Sequence, residues 1–278
     1  MKLEELKKLL ALAKTAASGA GEILRDSSDK RLEIKEKAPF DLVTKFDLAA
    51  NEYIRKALLK GCSNSLVMAE EDDDALKTAA KKNRDCTVLW IVDPIDGTTN
   101  FAKRVPHVGI SIAAYAPQTK EILVGCIYDP WRKEYFTAMK GCGAMMNDAP
   151  IAVSSVDKFH FALAATGFSY TRRRSLDNNL AELAPFVKKC LGVRRFGAAS
   201  LDLAWIACGR LDLYWEAGLR PWDVAAGILL VREAGGYCSN YAKEESTPFD
   251  NTIVASNPML HQKVLQQIKR SRNAAGLK

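Results

Sequence analysis

Trp90-Ile91-Val92-Asp93-Pro94-Ile95-Asp96-Gly97-Thr98-Thr99-Asn100-Phe101 decides the reading of this chain. Residues 87–92 are an almost uninterrupted apolar run, which predicts a buried strand stopped by Asp93-Pro94. Asp93 and Asp96 follow three residues apart, and Pro94 stiffens the bend so that the two carboxylates can converge. Clustered carboxylate oxygens are what a hard cation needs. Gly97-Thr98-Thr99 then supplies a small residue, two hydroxyls and successive backbone N–H groups. A helix beginning there would hold a phosphate oxygen at its N-terminus. Each piece alone is commonplace, since an Asp-x-x-Asp pair is usually a turn or cap. Together they describe a strand, an acidic pair and an anion cradle within one short segment.

Working outward, two other acidic spots stand out. Glu70-Glu71-Asp72 follows the apolar Leu66-Val67-Met68, either as a ligand at a second strand end or as the start of a solvated acidic run. Asp223 in Trp222-Asp223-Val224-Ala225-Ala226-Gly227 opens a helix, where the dipole alone would favour a carboxylate.

Apolar spacing predicts helices over residues 2–25 and about 46–58, the second with Asp47 in its first turn. Residues 71–84 read as a loop or short exposed helix. Strands are expected at 108–116, 121–129 and 133–138. The second half reads as a strand at 162–166 and helices at 175–189 and 200–208, with Ser200 as N-cap. A strand at 211–215, a helix at 222–234 closed by Gly235-Gly236, a strand at 252–255 and a helix at 258–270 follow, with a frayed tail from Ser271. The pattern suggests layered helices and sheets: one domain over 1–278, divisible near 150 into two packed α/β halves.

With 48% hydrophobic residues the chain is globular, not disordered. No run is long and apolar enough for a membrane span, and the mixed charges of residues 1–8 do not read as a signal peptide. The net charge of +7 could attract phosphorylated molecules or nucleic acid, but a solvated basic surface is the plainer reading. The seven cysteines form no CxxC pair and read as buried thiols in a reducing cytoplasm. None of His107, His160 and His261 falls in a motif, so structural or surface roles are expected.

The segment 90–101 resembles the first signature of the inositol monophosphatase family, and Trp222-Asp223-Val224-Ala225-Ala226-Gly227 running to Glu233-Ala234-Gly235-Gly236 resembles its second. Asp41-Leu42-Val43-Thr44-Lys45-Phe46-Asp47 is similar to the family's lithium-sensitive segment, and Gly141-Cys142-Gly143-Ala144 to its middle turn. The matches run in the family's order over most of the chain. The resemblance implies an α+β fold, the five-layered αβαβα sandwich of the inositol monophosphatase and fructose-1,6-bisphosphatase type. It further implies a cytoplasmic homodimer that hydrolyses phosphate monoesters with two or three Mg²⁺ and is inhibited by Li⁺.

By the same match Glu70, Asp93, the Ile95 carbonyl, Asp96 and Asp223 would be metal ligands, Asp93 bridging two ions, with Asp47 near a further, water-rich position. Glu70 and Thr98 would orient the attacking water. Gly97 and Thr98 would hold phosphate, and Asp223, Ala199 and Glu216 would meet the substrate, Glu216 favouring a polyol. Ala69 departs from the family's usual glycine, and Thr166 and Ser169 fall where the family varies. Inositol 1-phosphate is the first-choice substrate. Fructose bisphosphate, nucleotide 3′-phosphates and histidinol phosphate share the same chemistry, and an RNA-associated regulatory role on this fold is the alternative of a different class.

Overall fold

A computed structural model describes residues 1–27, 33–38, 41–74, 77–78, 80, 83, 85–170, 172–173, 175 and 178–277. Leu6, Leu9, Ala13, Ala16, Ala20 and Leu24 are buried along one side of helix α1 (Leu3–Arg25), as their spacing predicts. A ribbon of β1 (Ile34–Ala38) and β2 (Asp41–Thr44) leads into helix α2 (Lys45–Gly61). Thr44 caps that helix: its hydroxyl accepts from the Phe46 N–H at 3.2 Å, while Asp47 accepts from the Thr44 N–H at 2.7 Å.

Next come β3 (Ser65–Ala69), β4 (Val88–Asp96), the short helix α3 (Thr98–Ala102), β5 (Gly109–Ala116), β6 (Glu121–Asp129), β7 (Glu134–Met139), β8 (Ala144–Met146) and β9 (Ala149–Ile151). These strands form one seven-stranded sheet in chain order, antiparallel except for β3 and β4. The second half supplies β10 (Leu163–Thr166), α4 (Leu180–Lys189), β11 (Gly192–Arg194), α5 (Ala199–Ala207), β12 (Leu213–Ala217), α6 (Pro221–Glu233), β13 (Tyr237–Ser239), β14 (Thr252–Ser256) and α7 (Pro258–Ala274). Its strands pair in the order β11-β10-β12-β14-β13.

Helices α1 and α2 cover one face of the large sheet, α5 and α6 fill the space between the sheets, and α4 and α7 cover the far face of the small one. This is the αβαβα sandwich expected from the resemblance, with three apolar clusters welding its layers. The middle layer explains the composition of α6. Val224 to Val231 are all buried, because a helix between two sheets has no solvent face. It lies so close to β6 that a Cβ on Gly125 would stand 2.8 Å from the Ala226 carbonyl.

Several expectations need correction. The strand does not stop at Asp93-Pro94 but runs on to Asp96. The pairing with β5 shifts register between Asp93 and Asp96, and Pro94 sits in that irregularity, where its missing N–H removes no regular ladder bond. Ser200 is not a helix cap. Ala198 holds that place, and Ser200 turns inward from the first turn of α5. The helix expected over 175–189 begins at Leu180, after Asn179 in a left-handed conformation; residues 176–177 lie outside those described. The chain beyond Ser271 is not frayed: α7 continues to Ala274, with Ser271 and Arg272 buried and Arg272 donating to Glu182 at 3.3 Å. Of the cysteines, all free, Cys142 is exposed. Of the expected 71–84 segment, residues 75–76, 79, 81–82 and 84 lie outside those described. Among the described residues no helix is long and apolar enough to cross a membrane.

Candidate active site

The irregular end of β4 turns a strand into a platform. Asp93 is 1% exposed, and its Oδ1 accepts from the Ile95 N–H at 2.9 Å, which tightens the bend at Pro94. Gly97 then adopts φ +95°, and α3 starts from it. Any side chain would be strained there, and a Cβ would stand 3.1 Å from the Gly197 carbonyl and 3.2 Å from that of His107. The Thr98 hydroxyl lies 3.2 Å from Asp47 Oδ1 and 3.1 Å from the Ile95 carbonyl. Asp47 Oδ2 accepts from both the N–H and the hydroxyl of Thr44, at 2.7 and 2.6 Å. Asp47 therefore does two jobs: it completes the cap of α2 and faces the Thr98 hydroxyl. The sequence signals only the first.

Two other elements bring carboxylates to this platform, and a third fixes the platform's own Asp96. Glu70 directly follows β3, and its N–H bonds to the Val92 carbonyl at 3.1 Å, which carries the β3–β4 pairing one residue further and sets Glu70 beside Asp93. Asp96 Oδ2 accepts from the Ser200 N–H of α5 at 2.7 Å and from the Ser200 hydroxyl. Asp223, in the first turn of α6 behind Pro221, accepts from the Arg220 N–H at 2.7 Å. Burial, then the charges of Glu70, Asp96 and Asp223, hold the Asp93 carboxyl well above the usual carboxylate range. Burial lifts Asp96 to about 6 against the pull of its hydrogen bonds to α5. Burial, Asp96 and Glu70 likewise raise Asp223 well above its ordinary value.

Beside this group opens a cavity of about 90 Å³, whose walls include Asp96, Ala199, Asp202, Glu216, Asp223 and Gly167. Glu216, at the end of β12, is 8% exposed and accepts from the Tyr214 hydroxyl. Burial pushes Glu216 up to about 7. Its place depends on Gly167, where a Cβ would come within 2.0 Å of Glu216 Oε2.

The structure thus gathers Asp96, Gly97, Ala199, Glu216 and Asp223 on one cavity, with Asp93 buried behind it and Thr98 linked to Asp47 and Ile95. The sequence reading singles out neither Asp202 nor Gly167, nor Ser200's bond to Asp96. A signal for the first existed: an aspartate between leucines in the otherwise apolar Leu201-Asp202-Leu203-Ala204. His107 and His261 are buried in structural roles, His107 stacked on Phe196 and His261 between the Ser239 and Ser256 hydroxyls.

The donor chemistry fits a hard divalent cation: four carboxylates and a backbone carbonyl, all oxygen, from the ends of β3, β4 and α6. Burial first, and then the neighbouring carboxyls, raise Asp93 and Asp223, so a bound cation would be favoured over the protons they hold. Among the described residues no three acidic, imidazole or thiol side chains are grouped closely enough to hold a metal as they stand.

A family model described as the inositol monophosphatase family matches residues 5–273. The chain is 38% identical over 268 residues to the inositol-1-monophosphatase of Synechocystis sp., covering 95% of this chain and 90% of that protein. It is 35% identical over 263 residues to the Nus factor SuhB of Pasteurella multocida, covering 94% and 96%. Among solved structures, the extragenic suppressor protein suhB from Bartonella henselae superposes with a TM-score of 0.85 at 35% identity, covering 94% of this chain and 98% of that one.

Proposed function

The chain belongs to the inositol monophosphatase family, and from that premise we propose that it is a Mg²⁺-dependent, Li⁺-inhibited phosphatase that hydrolyses inositol 1-phosphate or a related polyol phosphate. The observation that carries this reading is the junction of two environments. A buried, mutually repelling carboxylate set at the end of β4 opens directly onto a cavity walled by Glu216 and Ala199.

In this reading Glu70, Asp93, Asp96, Asp223 and the Ile95 carbonyl hold the cations, with Asp93 central to the set. Bound Mg²⁺ supplies charge neutralisation for the phosphoryl group and leaving alkoxide, and an acidified water. The chain's own groups do the positioning. The Thr98 hydroxyl has one hydrogen and two acceptors in reach, Asp47 Oδ1 and the Ile95 carbonyl. With the carbonyl engaged elsewhere, that hydrogen turns to Asp47, and the Thr98 oxygen offers its lone pairs to the attacking water. Glu70 accepts the water's proton. The Gly97 and Thr98 amides receive the non-bridging phosphate oxygens. Glu216 accepts from hydroxyls of the alcohol, while Ala199 and Asp223 border it.

Phosphate release from inositol 1-phosphate, fructose 1,6-bisphosphate, adenosine 3′,5′-bisphosphate and histidinol phosphate, with and without Mg²⁺, tests the reading. Mg²⁺-dependent turnover with inositol 1-phosphate preferred is expected; no turnover of any ester would overturn it. Relatives named Nus factor SuhB and the charge of +7 favour a second, RNA-associated role. Binding to structured RNA across a salt series tests that role.

A further inference from the structure

Asp202 takes no part in the machinery described so far. It lies within α5, two residues beyond the Ser200 that holds Asp96, and is 2% exposed. Its Oδ1 is buried without a hydrogen-bond partner, yet the residue forms part of the wall of the cavity that Glu216 and Ala199 enter. A carboxylate oxygen left unpaired in the interior is costly, and an apolar side chain would fill the same turn of this helix at no such cost. The arrangement makes sense if a molecule entering the cavity supplies a donor to this carboxyl group. The kind of donor can be narrowed. Burial, and for Asp202 the charges of Glu216 and Asp96 as well, hold both carboxyls above their ordinary values, and the guanidinium of Arg195, which shares the cavity wall, pulls against that rise. The wall therefore already carries its cation, and what it lacks is neutral hydrogen-bond donors. Glu216, which lines the same cavity, has one oxygen engaged by the Tyr214 hydroxyl.

We propose that Asp202 is a specificity-determining residue: with Glu216 it forms a two-carboxyl clamp that accepts hydrogen bonds from two separate hydroxyls of the ester's alcohol. The substrate class this selects is the polyol monophosphate with at least two free hydroxyls beside the ester, as against simple alkyl or aryl phosphates. The inference rests on the phosphatase reading above and adds to it the demand for a second hydroxyl.

The test compares kcat/KM for inositol 1-phosphate with kcat/KM for p-nitrophenyl phosphate in the Mg²⁺-loaded wild type, Asp202→Asn and Asp202→Leu. The ratio of the two is the readout, because a merely structural role would lower both together. Asp202→Asn keeps the shape of the side chain and one acceptor, so a ratio lowered about fivefold is expected, carried mainly by KM. Asp202→Leu keeps the volume and removes both acceptors, and should lower the ratio about 10- to 150-fold, the range for a lost charge-assisted hydrogen bond. Melting temperatures at or above that of the wild type are expected for Asp202→Asn, since burial penalises the charged form of this carboxyl. A wild type that turns over inositol 1-phosphate with a ratio untouched in both variants would overturn the role of Asp202 and leave the phosphatase reading standing. A wild type inactive on both esters would overturn the phosphatase reading, and this inference with it.

Discussion

The two sides of the site are built on opposite plans. The acidic side has a local centre: Asp93, Ile95, Asp96, Gly97 and Thr98 come from one strand end and the turn after it, so their geometry is set by a register shift, a proline and a left-handed glycine, and only Glu70 and Asp223 join them from other elements. The alcohol side is assembled from afar. Gly167, Ala199, Asp202 and Glu216 belong to the loop after β10, to α5 and to β12, and meet because those elements converge on one cavity. The acidic side also carries strong mutual repulsion, whereas the alcohol side tempers its charge with Arg195 and the Tyr214 hydroxyl. The first plan fixes a chemistry in a few consecutive residues. The second leaves the choice of alcohol to residues that can change without disturbing it.

If that division holds, the largest effect belongs to Asp93. Asp93→Asn removes the carboxylate that faces Glu70, Asp96 and Asp223, so turnover at saturating Mg²⁺ should fall more than about 100-fold, as expected when metal-based stabilisation worth several kcal/mol is lost. The fold should survive, and the metal-free protein should melt no lower than wild type, because like charges are relieved. Retention of more than about a tenth of the wild-type rate on every ester would break the central placing of Asp93. Next comes Thr98→Ala. Its hydroxyl positions a proton and is not a proposed ligand, so kcat should fall about 100-fold while the Mg²⁺ concentration for half-maximal rate moves little. Parallel losses in both would place Thr98 among the ligands.

Gly167→Ala probes the other plan at a position with no chemistry of its own. The added Cβ would overlap Glu216 Oε2, so Glu216 must shift. A drop of about tenfold in kcat/KM for inositol 1-phosphate is expected, with a smaller one for p-nitrophenyl phosphate, since a displaced carboxylate forfeits about one charged hydrogen bond. Equal losses on both esters would mean that the alcohol side supports the acidic side as well, and the two plans would merge into one.

The same division explains what the sequence discloses. The acidic segment is legible because strand, bend and cradle are contiguous, and most strands and helices are legible from apolar periodicity within a residue or three of their ends. Glu70 and Asp223 look like an ordinary acidic run and an ordinary dipole-favoured carboxylate. Only the resemblance raises them, because what makes them special is proximity to Asp93 across the fold. Ser200 reads as a cap, since residue type alone cannot tell a hydroxyl facing its own helix end from one turned toward Asp96. The buried end of α7 is misread for a similar reason: Arg272 looks like a solvated tail residue, and its partner Glu182 lies 90 positions away. Gly167 carries no local signal whatever, since its necessity is a side chain from another strand.

The smallest effect tests whether the two sides titrate independently. Glu216 rises from its ordinary 4.5 to about 7 in the folded protein, chiefly through burial, and Asp96 rises from 3.8 to about 6 for the same reason. In both cases the folded state holds the proton more tightly than the unfolded chain does. The folded state therefore gains from protonation at low pH and loses stability as pH climbs through this interval, the loss from Glu216 being complete above about pH 7. For metal-free wild type this amounts to a decline on the order of 1–3 kcal/mol between pH 5 and 8, or a few degrees in melting temperature. Glu216→Gln removes its own share of the decline, while the shares of Asp93, Asp202 and Asp223, which are likewise held well above their ordinary values, remain in both proteins; the variant should be more stable than wild type at pH 8. Added Mg²⁺, which engages the acidic side only, should flatten the part contributed by Asp96 and leave the Glu216 part in place. Melting curves from pH 5 to 8 on both proteins, with chelator and with Mg²⁺, separate the two contributions. If Mg²⁺ alone abolishes the whole slope, Glu216 senses the cation directly and the alcohol side is electrostatically part of the acidic one; if Glu216→Gln alone flattens the slope only above about pH 6, the cavity walls ionise as two separate regions.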